Sequence, residues 1–255
     1  MIFYFTGTGN SLYVAKQFDE NPVSIPQIID NDNIYFEDES IGVIFPIYAH
    51  IPPQMVQDFL KKAVFKTDYF FIIETYGNRH CGSAQYVADM CREWGIDVKY
   101  VHTIKMVDNW LPGFDVDEQV KIDKKVDEQI AEALKDVAER KIEIPKATDE
   151  EIEYHKNLEQ ANAKIMPNLL HGEMFNITDE CIGCGICTKV CPEAAFEVKD
   201  GKAVRNRNYC QMCLACVHNC PQKAIKLNIP EKNPNVRYRN ENISLNEIIK
   251  ANCRI

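Results

Sequence analysis

Eight of the eleven cysteines fall between residues 181 and 221, in two copies of one pattern. Cys181, Cys184, Cys187 and Cys191 precede Pro192; Cys210, Cys213, Cys216 and Cys220 precede Pro221. Each cysteine of the first copy recurs 29 residues later, and Ala195-Phe196 aligns with Ala224-Ile225, so the stretch is an internal duplication. Three thiolates with two residues between them, on a tight loop, suit three iron corners of a cubane; the fourth corner takes a distant thiolate. Zinc favours C-x2-C pairs parted by a longer insert, and disulfides belong to secreted chains. No signal-like apolar segment opens the sequence, so reduced thiols holding iron–sulfur clusters are expected.

A second group of residues fits phosphate. Residues 2–6 form a strand-forming run that ends at Gly7-Thr8-Gly9-Asn10-Ser11, and a helical pattern follows at Leu12, Val14, Ala15 and Phe18. Strand, hydroxyl-rich glycine loop and helix together cradle a phosphate with backbone amides and the positive helix end. The loop holds no lysine, against a Walker site, and G-x-G-x-x-G is missing, which weakens a dinucleotide reading.

The elements that must position these residues alternate. Residues 41–45 and 69–75 read as buried strands, followed by Pro46 to His50 and by Tyr76 to Gly82; helices follow through Val56, Phe59 and Leu60 and over 83–94, and a further strand spans 98–104. Such alternation predicts an α/β doubly wound parallel sheet, whose ligands sit outside the carboxyl ends of the strands, where all three loops lie. Residues 116–141 read as one amphipathic helix, 142–175 as a helical connection, and Asp200-Gly201 as a hairpin turn. After Leu227 the chain turns polar and ends in a short helix at 244–251. His50 and His80 are read as solvated side chains, and Cys91 and Cys253 as thiols outside the site.

Composition narrows the classes. A net charge of −9 and a pI near 5.2, without a long basic run, argue against nucleic acid. No stretch is apolar enough for a membrane span, and a cytoplasmic protein is expected.

The run Thr6 to Ser11 resembles the phosphate loop of flavodoxins, and the doubled cysteine motif resembles the bacterial two-cluster ferredoxins. The whole is similar to the flavodoxin/ferredoxin fusion proteins of anaerobic bacteria and archaea. That resemblance implies a flavodoxin-like doubly wound parallel sheet of order 2-1-3-4-5 over 1–141, a connection over 142–175, a small α+β two-cluster ferredoxin domain over 176–228 and a tail over 229–255. It implies FMN held by Thr6, Gly7, Thr8, Gly9, Asn10, Ser11, Pro46, Ile47, Tyr48, Thr75, Tyr76, Gly77, Asn78, Cys81 and Gly82. It also implies two crossed [4Fe–4S] clusters, one on Cys181, Cys184, Cys187 and Cys220, the other on Cys210, Cys213, Cys216 and Cys191. The implied function is a redox carrier meeting partner proteins transiently and converting paired to single electrons. The alternative is an FMN-dependent reductase of a quinone or nitro compound, and a scaffold with empty flavin loops is a third reading.

Overall fold

The computed structural model describes residues 1–32, 34–162 and 173–254. Seven strands occupy the first part: β1 (Ile2–Tyr4), β2 (Val23–Ser24), β3 (Tyr35–Glu37), β4 (Ser40–Pro46), β5 (Val64–Lys66), β6 (Tyr69–Tyr76) and β7 (Val98–Lys105). Five of them form one parallel sheet in the order β2-β1-β4-β6-β7. β3 and β5 pair separately, in parallel, as a ribbon whose Phe36 and Phe65 pack against the core.

The central strands are largely apolar because both faces of the sheet are covered. Phe3, Phe5, Val43, Phe45 and Ile72 point to one side, where they meet α2 (Ile25–Ile28), α3 (Gln54–Lys62) and α4 (Ser83–Glu93). Ile2, Tyr4, Ile44, Phe71 and Ile73 point to the other, against α1 (Asn10–Phe18) and the helix over residues 126–138. Neighbouring residues thus serve opposite cores, as the two-residue period of a strand requires.

The amphipathic stretch expected as one helix over 116–141 is two, α5 (Val116–Gln119) and α6 (Val126–Ala138). The Asp123 carboxylate accepts the Lys125 amide at 2.9 Å, and Lys125 takes φ 54°, so a local side-chain turn outcompetes helix continuation. The connection contains α7 (Asp149–Asn162); residues 163–172 of the expected connection lie outside the described residues.

The cysteine-rich part is built from β8 (Phe175–Ile177), α8 (Ile186–Val190), β9 (Phe196–Lys199), β10 (Lys202–Arg205), α9 (Ala215–His218) and β11 (Ile225–Leu227). β9 and β10 form the antiparallel hairpin around Asp200-Gly201, and β8 pairs antiparallel with β11. The sequence duplication is also a backbone duplication. Left-handed residues at Gly183, Gly185 and Ala194 recur 29 positions later at Met212, Leu214 and Lys223, and α8 recurs as α9.

The tail crosses back over the N-terminal part. The Asn240 amide donates to the Thr8 carbonyl at 2.9 Å, and α10 (Leu245–Asn252) sends the Asn252 side-chain amide to the carbonyls of Thr6 and Val190 at 3.0 and 3.1 Å. Among the described residues no helix is long and apolar enough to cross a membrane.

Candidate iron–sulfur centres and an adjoining cofactor cleft

The cysteine loops place thiols in two sets. A small cavity is lined by Cys181, Cys184, Cys187 and Cys220, with Ile186, Pro221 and Ile225 closing its apolar side. The Cys187 thiol is pushed up to about 12, by burial first and then by Cys184, Cys181 and Cys220. Cys216 is pushed well up by burial and then by Cys191, Cys210, Cys213 and Cys187, so the second set gathers around it. The last cysteine of each run therefore lies with the first three of the other.

Buried thiolates are costly unless a cation compensates them, and backbone amides that point at sulfur supply part of that compensation. Ala203 N reaches Cys181 Sγ at 3.3 Å, Met212 N reaches Cys210 Sγ at 3.2 Å and Ala224 N reaches Cys220 Sγ at 3.3 Å. The cysteines form no disulfide. Among the described residues no group of His, Cys, Asp and Glu converges at the distances of a single metal ion. Four thiols lining a cavity, with amides aimed at the sulfurs, fit a multi-iron core.

A cleft of about 470 Å³ opens at the carboxyl ends of β1, β4, β6 and β7, a volume in the range of small-molecule sites. It is lined by Thr6, Gly7, Thr8, Asn10 and Ser11, by Pro46, Ile47 and Tyr48, and by Thr75, Tyr76, Gly77 and Asn78. Gly9, Cys81 and Gly82 do not line it. Gly9, at φ 102°, faces Asn240 and Ile243 of the tail; Cys81 is buried, and Gly82 packs against Ala147.

Hydrogen bonds assign different tasks within the loop of residues 6–11. Asn10 is largely engaged by protein: its Oδ1 accepts from Tyr238 Oη at 2.6 Å and Asn240 Nδ2 at 3.2 Å, and one Nδ2 proton goes to the Val107 carbonyl at 3.2 Å. Thr8 Oγ1 accepts from Asn109 Nδ2 at 2.6 Å, which leaves its own proton to donate. Ser11 and Thr75 share a 2.8 Å hydroxyl contact. Thr6 Oγ1 accepts the Gly9 amide at 3.1 Å, fixing the turn.

Beyond the expected residues the cleft takes Val107, Asp108, Asn109, Trp110 and Phe114 from the loop after β7. The rule that ligands gather at carboxyl ends of parallel strands points to this fourth loop as well. Tyr154 and Leu158 of α7 also line it, so the stretch expected to join two domains contributes to the cleft wall. His50 lines the cleft, whereas His80 turns to Glu151 at 3.6 Å. Ala49 and His50 take φ 49° and 71°, a two-residue turn closed by Tyr48 N to Ile51 O at 2.9 Å. Burial first, then His155, His80 and Arg79, holds His50 down to about 4, so it is neutral at neutral pH.

The two sites touch. Met212, Cys213 and Leu214 of the second cysteine run line the cleft, and a methyl group at Gly7 would sit 2.4 Å from the Cys213 carbonyl oxygen.

Comparison with known proteins bears on the second part. Residues 173–240 match the family of 4Fe-4S dicluster domains, so this region is a ferredoxin-like dicluster domain. A subunit of the ion-translocating oxidoreductase complex of Methanosarcina acetivorans is 49% identical over 47 residues, 18% of this chain and 18% of that protein. The putative electron transport protein YsaA of Escherichia coli is 34% identical over 77 residues, 28% of this chain and 49% of that one. A ferredoxin-like protein in the nif region of Trichormus variabilis is 39% identical over 49 residues, covering 19% and 42%. The chain thus spans less than half the length of each of these relatives, and no solved structure matches it.

Proposed function

We propose that this chain carries electrons between two [4Fe–4S] clusters and an FMN bound in the N-terminal cleft, as a redox carrier converting between paired and single electrons. The observation behind this reading is the place of Cys213, which belongs to the second thiol set and also lines the cleft. FMN supplies a centre that exchanges electrons in pairs or singly, while each cluster passes one at a time. The residues of the chain bind and orient. Thr6, Gly7, Thr8 and Ser11 offer amides and hydroxyls to a phosphate at the start of α1, without a cationic side chain in the loop. Tyr48 and Tyr76 of the cleft lining offer aromatic side chains to a planar ring, and Gly77 has no room for a side chain beside Asp108.

The sheet order supports a flavodoxin-like reading of residues 1–141, because the five sheet strands, counted along the chain, run second, first, third, fourth, fifth. The relatives, an oxidoreductase subunit, an electron transport protein and a ferredoxin-like protein, support electron transfer by the cluster domain at 176–228. Burial orders the centres. Cys184 is exposed, so the set of Cys181, Cys184, Cys187 and Cys220 faces transient partner proteins, and the second set relays to the cleft. Reduced thiols suit the cytoplasm.

A second reading, a flavin-dependent reductase of a small acceptor such as a quinone or nitro compound, draws on the aromatic walls at Trp110, Phe114 and Tyr154 beside His50 and Arg79. Anaerobic purification with iron, sulfide and flavin analysis tests the core of the proposal. About eight iron atoms per chain and extracted FMN are expected; about four iron atoms, or FAD in place of FMN, would overturn it. Rapid mixing of reduced protein with a quinone, a nitroaromatic and a one-electron protein acceptor separates carrier from reductase.

A further inference from the structure

The second cysteine run departs from the first in residue type at two left-handed positions. Gly183 and Gly185 of the first copy hold φ 66° and 75°; their counterparts Met212 and Leu214 hold φ 53° and 56° with full side chains. Left-handed backbone is unfavourable for residues that carry a Cβ, and such strain persists only where surrounding structure enforces it. Met212 and Leu214 also line the cleft, on either side of Cys213. Strain absent from the first loop is thus present in the second, where the loop has a second task.

A hydrogen-bonded chain runs from that same segment to the phosphate loop. His218 closes α9 between Cys216 and Cys220 and is buried. Its Nδ1 accepts the Tyr238 amide at 3.0 Å, so Nε2 carries the proton and donates to the Asn109 carbonyl at 3.0 Å. The Asn109 side chain then donates to Thr8 Oγ1 at 2.6 Å and aims the Thr8 proton into the cleft. Alongside this path the Cys213 carbonyl packs on Gly7 with no space for a methyl group.

We infer that the cluster held by Cys191, Cys210, Cys213 and Cys216 and the phosphate-bearing flavin are coupled in binding, with His218 and Asn109 as the positioning residues between them. The inference rests on the FMN reading of the cleft. The iron core fixes a loop that would otherwise relax from its left-handed positions, and the fixed loop holds α9, hence His218, Asn109 and the Thr8 hydroxyl. Linkage makes the effect reciprocal: whatever tightens FMN when the cluster is present must tighten the cluster when FMN is present.

The test uses the full chain with its clusters, purified anaerobically, and free FMN as probe. FMN affinity is read by quenching of flavin fluorescence, and cluster retention by the rate of iron loss to a chelator with and without saturating FMN. For Asn109→Ala, which touches no cysteine, and for His218→Gln, FMN affinity is expected to fall about tenfold, the scale of one buried hydrogen bond, at unchanged iron content. FMN is expected to slow iron loss several-fold in the parent protein and to lose that effect in Asn109→Ala. If His218→Gln does not fold, Asn109→Ala alone decides. A parent protein that binds no FMN defeats the cofactor reading and the coupling with it. FMN bound with the same affinity by parent and variant, or iron loss indifferent to FMN, overturns the coupling and leaves the cofactor reading standing.

Discussion

At the scale of single residues, two side chains give tests independent of one another. Cys191 ends the first run but lies with Cys210, Cys213 and Cys216. Cys191→Ala is expected to damage the cluster of the second run, seen as loss of about half the iron together with altered signals from that cluster alone. Loss confined to the set of Cys181, Cys184 and Cys187 would contradict the crossed arrangement. Glu74 stands on β6, fully buried; Ser83 Oγ donates to its Oε2 at 2.6 Å, and its Oε1 has no partner among the described residues. Burial raises this carboxyl from its ordinary 4.5 to about 8. The folded state therefore holds a proton that the unfolded state releases, and stability falls as pH rises from about 4.5 to 8. Glu74→Gln should flatten that slope and stabilise the protein at pH 7 by on the order of 2 kcal/mol. Equal pH slopes of Tm for parent and variant would refute it. The cysteine motif is legible because its chemistry depends on spacing within one segment, and the Thr6–Ser11 loop because it parts a strand pattern from a helix pattern. Asn109, His218 and Tyr238 are not, since each matters only through partners over a hundred residues away or across a fold boundary.

At the scale of elements, the last helix decides how the tail is held. Ser244 caps α10 in a reciprocal box with Glu247, and Glu247 also pairs with Lys16 at 2.7 Å. The Lys16 ammonium first, then the Ser244 hydroxyl and amide, hold Glu247 down to about 2. A carboxylate with a lowered folded value contributes stability above its ordinary 4.5, lost as pH falls through about 2. Ser244→Ala should cost about 1 kcal/mol at neutral pH, and that cost should shrink toward pH 2 as Glu247 takes up a proton; a constant difference in Tm would show the cap to be idle. Legibility follows length at this scale. β4 and β6, with seven and eight residues, announce themselves by apolar runs, and the eight residues of β7 by apolar and β-branched residues interleaved with polar ones. β2, β3 and β5, with two or three residues, carry too short a pattern and exist because neighbouring backbone pairs with them. α7 shows little apolar face in sequence, since it lines a cleft and not a packed core, and so it reads as mere connection.

At the scale of the whole molecule, charge is divided unevenly. Residues 1–172 carry seventeen Lys and Arg against twenty-nine Asp and Glu, whereas residues 173–240 carry ten against seven. The acidic excess thus resides in the first part, and the Lys, Arg, Asp and Glu side chains of the cluster domain sum to a mildly basic charge. Its surface presents Ile182 and Val198, 62% and 42% accessible, beside the solvent-facing Cys184. Exposed apolar residues on a domain with an excess of Lys and Arg suit a small acidic electron carrier, held briefly and guided by charge. Exchange with an acidic one-electron protein should therefore be faster than with a basic one at low ionic strength, and the difference should shrink about tenfold or more as salt shortens the Debye length from roughly 30 to 8 Å. Stopped-flow reduction of the clusters by an acidic and a basic carrier at two salt concentrations measures this. Faster exchange with the basic carrier would move the docking face to the acidic first part, and electrons would then reach the cleft without passing Cys184.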